Sequence, residues 1–113
     1  MAVATGGAGA IGSAIVTSLA ARGYRTVVLD RSGDLACDLA SETSTKAVAA
    51  KVLDRCGGCD VLVHCAPSFD PLPLESFDLS RWRTVQAVNV EAPLLLAQAF
   101  RPGMVQRQFG RRV

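Results

Sequence analysis

Several features that would assign this 113-residue sequence to a specialised class of protein are missing from it. No apolar run is long enough to cross a bilayer, because Gln86, Asn89 and Glu91 interrupt the most hydrophobic segment. The N-terminus enters an apolar stretch directly, without the basic and apolar regions of a signal peptide. Internal repeats and low-complexity segments are also absent. We therefore expect a cytoplasmic protein that does not associate with membranes.

A charge excess of either sign is missing as well. Twelve basic residues stand against ten acidic ones, for a net charge of +2, which gives no general signal for a polyanionic partner. One basic cluster has no acid among it, but Phe109 is its only interleaved aromatic residue, so a solvated or covered face is favoured over a nucleic-acid patch. No nucleic-acid partner is expected. The cluster comprises Arg101, Arg107, Arg111 and Arg112.

The four cysteines are too few and too scattered for a convincing metal site. Cys56 and Cys59 have the spacing of a redox or half-zinc motif, yet the further ligands could come only from Cys37, His64 and Cys65. The two glycines between the first pair fit a helix terminator, and free cysteine packs well as a small apolar residue. We expect reduced structural thiols, no bound metal, and His64 as a hydrogen-bonded core histidine rather than a base.

Half of the residues are hydrophobic, which is enough for one domain spanning residues 1–113. Apolar segments without alternation predict buried parallel strands, and segments with helical spacing alternate with them. This alternation predicts an α/β fold, a doubly wound parallel sheet that ends after about five strands. The predicted strands cover residues 2–5, 26–29, 35–37 and 61–65 with a fifth beginning near 110–113, and the predicted helices cover 10–21, about 44–56 and 79–101.

Two of the predicted helices carry finer expectations. Thr43 or Ser44 is expected to cap the second helix. In the third helix, Asp78 or Ser80 is the expected cap, and Pro93 predicts a kink or an uncapped turn. The buried stripe of the second helix is predicted to contain Val48, Val52, Leu53 and Cys56.

A glycine-rich turn between the first strand and the first helix is the main functional signal. Glycines there permit a tight reversal and let backbone N–H groups approach a pyrophosphate at the positive end of the helix. Asp30 follows Gly12 by 18 residues, close to where a carboxylate receives the adenosine ribose hydroxyls. A purely structural turn is the alternative interpretation. The predicted nucleotide turn consists of Gly6, Gly7, Ala8, Gly9, Ala10, Ile11 and Gly12.

The doubly wound sheet brings separate motifs together. Ligands of such sheets bind beyond the carboxyl ends of the strands, which is where the turn, Asp30, Asp38 and Ala66 are all predicted to lie. Asp30 repels a 2′-phosphate and so favours NAD over NADP, although the Arg31 guanidinium could bind such a phosphate.

Over practically its whole length the chain resembles the short-chain dehydrogenase/reductase family. The turn from Thr5 to Gly12 is similar to the nucleotide turn of that family, and Asp60 to Pro67 occupies the place of its Asp-Val-Leu-Val-Asn-Asn-Ala-Gly strand. Residues 82–100 are similar to its long fourth helix. The resemblance places Cys65, Ala66 and Pro67 at the cofactor.

The same resemblance implies further roles. Asp38 corresponds to a carboxylate that accepts the adenine amino group, with Leu39 packed on the ring, and a helix cap is the alternative interpretation of Asp38. Asn89 corresponds to an asparagine that relays protons through water to a catalytic lysine. A bond from its side chain to the backbone would also account for an asparagine in a helix. Ala8 stands where NADP-preferring relatives often carry a base, which again favours NAD.

Three departures from the family pattern bear on its branch and its chemistry, and one of them, the segment from His64 to Pro67, leans slightly toward the extended branch. The glycine spacing matches the extended branch of epimerases and dehydratases, whereas the helix with Trp82 and Asn89 fits the shorter reductase branch better. The family also uses a serine and a Tyr-x-x-x-Lys motif after its fifth strand. Here Tyr24 is the only tyrosine and Lys46 and Lys51 are the only lysines. Residues 1–113 are therefore expected to be the cofactor half of a longer enzyme and to be inactive alone.

These observations predict an NAD-dependent oxidoreductase that transfers a hydride between its nicotinamide cofactor and a small alcohol or carbonyl substrate. An extended-type epimerase or dehydratase and a non-catalytic nucleotide-binding module are the alternatives. The helix at residues 79–101 is too broadly apolar for one sheet face to cover. We expect it to join copies of the chain into a homodimer or homotetramer, as in relatives of the shorter branch.

Overall fold

The computed structural model describes residues 1–69 and 71–113 and alternates strands with helices, as the sequence predicts. Two short irregular helices interrupt the pattern: a 3-10 turn at Leu74–Ser76 and a π-helical turn at Ala87–Glu91. The regular elements are β1 (Ala2–Thr5), α1 (Ala10–Ala21), β2 (Thr26–Asp30), β3 (Leu35–Ala36), α2 (Glu42–Cys56), β4 (Val61–His64), α3 (Leu79–Gln86), α4 (Ala92–Gln106) and β5 (Arg111–Arg112).

All five strands are parallel and lie in the order β3-β2-β1-β4-β5. The chain moves outward from β1 to β3, then crosses back to place β4 on the other side of β1. This reversal opens a crevice between the carboxyl ends of β1 and β4. The predicted doubly wound parallel sheet is thereby confirmed, and the crevice is where the predicted site residues converge.

Helices cover both faces of the sheet, so the strands are apolar on both sides. On one face Ala4 and Val63 pack with Ile15 and Leu19 of α1. On the other face the core joins the central strands to α2 and α4. Its largest fully buried side chains include Val3, Leu29, Val52, Leu62, Leu96 and Phe100.

Helix α2 begins earlier than predicted. Its cap is Ser41, whose hydroxyl accepts a hydrogen bond from the Ser44 N–H at 3.2 Å, so the expectation of Thr43 or Ser44 as the cap is wrong. The Ser44 hydroxyl instead accepts from the Asp38 N–H at 2.9 Å, which ties the preceding loop to the helix. Leu53 was expected to be buried but is 40% exposed. The buried side consists of Thr45, Val48, Ala49 and Val52.

The predicted helix at residues 79–101 is two α-helices joined by the π-helical turn, and the second continues to Gln106. Asp78 caps α3 by accepting from the Arg81 N–H at 2.9 Å. The π-helical turn ends two residues before Pro93, whose ring would clash with the carbonyl four residues back, at Asn89, in a regular helix. Wider winding at this point relieves the clash. Within the described residues, none of the helices has the length and apolar character needed to cross a membrane.

A carboxylate completes the outer edge of β2. Strand β3 pairs only with Leu29 and Asp30, which leaves the Val28 N–H beyond its reach. Asp34 Oδ2 accepts this N–H at 2.9 Å. The tight loop between the two strands therefore satisfies the backbone that the short edge strand leaves open.

Arg107, one of the clustered basic residues, joins the end of α4 to the start of β4. Its Nε lies 2.9 Å from Asp60 Oδ1, and its guanidinium donates to the Cys59 carbonyl at 3.0 Å. Arg107 therefore stabilises the fold at the amino end of β4, at the opposite end of the strand from the crevice.

Candidate functional site

A cavity of about 610 Å³ lies at the crevice where the strand order reverses. Its volume falls within the range typical of small-molecule and cofactor sites. The turn after β1, the ends of β2 and β3, the loop after β4 and helix α3 with the π-helical turn all contribute to its walls. The lining residues are Gly6, Gly9, Ala10, Ile11, Gly12, Asp30, Arg31, Cys37, Asp38, Leu39, Ala40, Cys65, Ala66, Pro67, Ser68, Thr84 and Val88.

Close backbone approach explains the glycines at two positions of the turn. A Cβ at Gly6 would lie 2.5 Å from the Cα and N of Ala66, and its φ is 65°. A Cβ at Gly12 would collide with the carbonyl oxygen of Gly6. Thr5 adds a side-chain link, because its Oγ1 accepts a hydrogen bond from the Ala66 N–H at 3.3 Å. The turn after β1 is therefore packed directly against the loop after β4.

The turn leaves the N-terminus of α1 open toward the cavity. Gly9 occupies the cap position, no side chain among the described residues caps the first turn, and no acidic residue lies in it. The first-turn N–H groups are thus left for solvent or a ligand, at the positive end of the helix dipole. Gly7 and Ala8, although predicted as part of the site, do not line the cavity. Gly7 instead allows α1 to approach β2, since a Cβ there would meet the Val28 side chain at 2.8 Å.

Asp30 and Arg31 lie at the end of β2, where both line the cavity. Asp30 Oδ1 accepts a hydrogen bond from the Arg31 N–H at 2.7 Å, which fixes the carboxylate at the strand end. Its other oxygen has no partner within the described part of the chain and is available to a ligand. A negative and a positive side chain therefore stand next to each other at this end of the cavity.

The segment after β3 supplies a second carboxylate. Asp38 Oδ1 accepts from the Ala40 N–H at 2.9 Å. Because Ser41 caps α2, the alternative interpretation of Asp38 as the cap is wrong. Leu39 is 9% exposed and lines the cavity as an apolar surface. Cys37 lines the cavity together with Asp30 and Asp38, and burial, followed by the charges of these two carboxylates, raises the pKa of its thiol.

The loop after β4 forms the opposite wall and is held by Asn89. The Asn89 side chain accepts from the Ser68 N–H and donates to the Ser68 carbonyl, both at 2.8 Å. Asn89 lies on the π-helical turn and does not line the main cavity, whereas Ser68 does. The Asn89 amide therefore holds the Ser68 backbone, and with it this wall of the cavity, through two hydrogen bonds, which we call the Asn89 clamp.

A smaller cavity of about 310 Å³ adjoins the first beneath the π-helical turn. His64 lies in it with both ring nitrogens buried and without a hydrogen-bond partner among the described residues. The expectation that this histidine is hydrogen-bonded is wrong, because its two polar neighbours in the cavity, Thr5 and Asn89, bond to Ala66 and Ser68 instead. The other lining residues are Thr5, Leu39, Ala66, Pro67, Val88, Asn89, Ala92 and Pro93.

The cysteine pair at positions 56 and 59 is separated by the end of α2, and all four cysteines are free thiols. Cys59 is fully buried and donates to the Val61 carbonyl at 3.2 Å. Burial raises the pKa of its thiol to about 11. Among the described residues, no group of three or more His, Cys, Asp or Glu side chains is arranged to hold a metal ion.

Sequence reasoning missed several residues of the main cavity. Cys37, Ala40 and Ser68 border predicted residues but carry no motif of their own. Thr84 and Val88 come from the helical segment, and the position of Val88 beside Asn89 is the one signal that could have suggested it.

Comparisons with known proteins agree with this arrangement. A family model described as short chain dehydrogenase matches residues 1–113. A short chain dehydrogenase of Pseudocercospora fijiensis is 31% identical over 96% of this chain and 42% of its own length. D-threitol dehydrogenase of Mycolicibacterium smegmatis is 28% identical over 94% of this chain and 48% of its own length.

A solved structure adds a match in three dimensions. A metagenomic short-chain oxidoreductase, crystallised in complex with NADP, is 34% identical to this chain with a TM-score of 0.88. The match covers 98% of this chain and 59% of that protein. The chain thus spans about half the length of the curated relatives it matches. Since the family model matches the chain from residue 1 to residue 113, the protein belongs to the short-chain dehydrogenase family.

Proposed function

We propose that residues 1–113 are the dinucleotide-binding domain of an NAD-dependent oxidoreductase acting on a small alcohol or carbonyl compound. The observation that carries this proposal is the meeting of three features on one cavity: the uncapped N-terminus of α1, the glycine turn packed on the loop after β4, and the Asp30 carboxylate. The nicotinamide ring, when bound, supplies the site that accepts or donates a hydride.

The residues present fit a dinucleotide. Because a Cβ at Gly6 would collide with Ala66 and one at Gly12 with the Gly6 carbonyl, glycine at both positions lets the tight turn form. The turn holds the open N-terminus of α1 at the cavity, where its N–H groups could bind a pyrophosphate. Asp30 would accept the adenosine ribose hydroxyls, and Asp38 would accept the adenine amino group beside the apolar surface of Leu39. Cys65, Ala66 and Pro67 would line the far wall, with Ser68 held in place by Asn89.

A preference for NAD over NADP follows from the charge at the ribose end. The Asp30 carboxylate would repel a 2′-phosphate, and Ala8 offers no cation in the turn. Arg31 is the opposing influence, and the metagenomic relative is one that binds NADP. We place the greater weight on Asp30, because a carboxylate directed at two ribose hydroxyls forms charge-assisted hydrogen bonds that NADP cannot reproduce.

The dehydrogenase names of the relatives favour hydride transfer over epimerase or dehydratase chemistry. Asn89 contributes through its clamp on Ser68, and a part in proton transfer stays a prediction. The inactivity of residues 1–113 alone and a cytoplasmic location also stay predictions.

We also propose that copies of the chain pack together through α3 and α4. Trp82, Val90 and Leu94 are each about half exposed on this surface, at 50%, 55% and 52%. Val90 and Leu94 are four residues apart, the spacing at which side chains of a helix are neighbours. Burying such side chains against a second copy would remove apolar area from water.

Calorimetric titration with NAD+ and NADP+ at fixed salt tests the cofactor proposal. We expect NAD+ to bind more tightly, and Asp30→Ala to weaken NAD+ by about tenfold to a hundredfold, the loss expected for hydrogen bonds to a charged group. The affinity for NADP+ should fall far less, because the substitution also removes the repulsion between the Asp30 carboxylate and the 2′-phosphate. Asp54→Ala, which removes an exposed carboxylate of α2 outside the cavity, is the matched control. Tighter binding of NADP+ by the unmodified protein would contradict the proposal.

A further inference from the structure

We propose that His64 makes the dinucleotide cleft acid-sensitive, because its ring nitrogens are buried without a partner at the seam where β4 meets the π-helical turn, and protonating the ring destabilises that seam. This inference rests on the proposed function for its effect on the cofactor. Its effect on the stability of the fold does not depend on the cofactor.

The first support is the position of the ring. Both nitrogens are buried without a partner among the described residues, so the neutral ring already lacks one donor and one acceptor contact. The imidazolium would carry two buried N–H donors and a charge, a far more costly arrangement in an apolar cavity. Protonation of the ring in this structure is therefore opposed, and a protonated ring should loosen the contact between β4 and the π-helical turn.

The second support is the shared wall between the two cavities. Four residues line both of them, so movement at the seam reaches the main cavity directly. Asn89, which clamps Ser68 of the main cavity, lines the smaller one. The shared residues are Leu39, Ala66, Pro67 and Val88.

Few charges surround the ring. On β1, the loop after β3, the π-helical turn and α4, the residues that line the cavity with His64 have no ionisable side chain. Strand β5 contributes Arg112, whose positive charge opposes protonation. Cys65, the next residue of the chain, packs on the opposite face of the sheet. No carboxylate among the described cavity residues is available to stabilise an imidazolium.

The direction of the pH effect follows from these surroundings. Burial, and then the charge of Arg112, lower the pKa of His64 below its ordinary value of 6.5. The unfolded chain therefore takes up the proton at a higher pH than the folded protein does. The neutral His64 ring therefore makes its full contribution to stability above about pH 6.5. That contribution is lost as the pH falls from there toward the pKa of His64 in the folded protein.

The test compares thermal unfolding and NAD+ affinity between about pH 7.5 and about pH 5.5, a range that brackets histidine titration. The unmodified protein should unfold at a lower temperature in acid, and its Kd should rise by up to about tenfold per pH unit, the limit for one proton. His64→Asn and His64→Phe, one polar and one apolar, should both flatten these changes. Carboxylate titration is common to all variants and cancels in the comparison.

Two substitutions of neighbouring arginines, each removing one positive charge, sharpen the test. Arg112→Gln removes the repulsion and so raises the pKa of His64 in the folded protein. The rise of the Kd for NAD+ should then begin at higher pH, and the loss of stability in acid should be smaller than in the unmodified protein. Arg111→Gln changes the neighbouring residue, whose guanidinium lies over the Phe109 ring, and should leave both pH effects unchanged. Identical pH profiles for the unmodified protein and His64→Asn would overturn the inference. Absence of NAD+ binding at pH 7.5 in every variant would refute the proposed function, while the unfolding profiles would still decide the role of His64.

Discussion

Gly6 offers the sharpest test of how the nucleotide turn is built. Its φ is 65°, and a Cβ there would lie 2.5 Å from the backbone of Ala66. Gly23 has a similar φ of 84°, but nothing lies within 4 Å of its Cβ position. Gly6→Ala therefore combines backbone strain with a collision, whereas Gly23→Ala introduces the strain alone.

The expected magnitudes follow from these two geometries. Placing an L-residue in the left-handed region costs about 1–2 kcal/mol, which is the full effect expected for Gly23→Ala. Forcing a methyl group into a packed position adds about 1–3 kcal/mol. Gly6→Ala should then reduce the free energy of unfolding by about 2–5 kcal/mol, a large part of the stability of a small domain.

Urea denaturation measures the free energy of unfolding of both variants, and calorimetry measures their affinity for NAD+. Gly6→Ala should lose binding as well as stability, because the collision pushes the turn away from the loop after β4. Gly23 lies just beyond the end of α1 that is far from the cavity, so the Gly23→Ala variant should bind NAD+ with unchanged affinity. Equal losses of stability in the two variants would refute the reasoning about close approach.

Two further predictions concern the helical segment. Asn89→Ala removes both bonds to Ser68 and should cost about 1–3 kcal/mol of unfolding free energy and weaken NAD+ binding. Gln86→Ala on the same segment should cost less than about 0.5 kcal/mol, and an equal effect of the two changes would count against the clamp. Leu94→Arg should dissociate the proposed dimer or tetramer in light scattering, whereas Leu53→Arg, which changes a partly exposed leucine of α2, should not. A stable monomer at high concentration before any substitution would rule out that interface.

The sequence was a good guide wherever a local pattern decides the structure. Uniform apolar runs identified β1, β2 and β4, and the glycine spacing identified the turn that leads into α1. The alternation of strands and helices predicts a parallel sheet, and the carboxyl ends of parallel strands lie together. The main cavity therefore contains most of the predicted residues.

Tertiary contacts explain the failures. Ser44 has the chemistry of a helix cap, but its hydroxyl binds the Asp38 N–H, and Ser41 takes the cap position instead. Pro93 predicts a kink or an uncapped turn in its helix. It does not predict that the irregularity takes the form of a π-helical turn before the proline, on which Asn89 reaches Ser68. The surroundings of His64 depend on residues from four separate segments, which no local pattern could reveal.

The bond between Asp34 and the Val28 N–H has a consequence for association between molecules. An exposed N–H on an outer strand invites a strand from another chain to continue the sheet. Here the loop residue has already taken that N–H, and it does so with a side chain that is negatively charged at neutral pH. Where β3 no longer covers β2, this carboxylate thus removes a backbone donor that a strand from another molecule could otherwise bind.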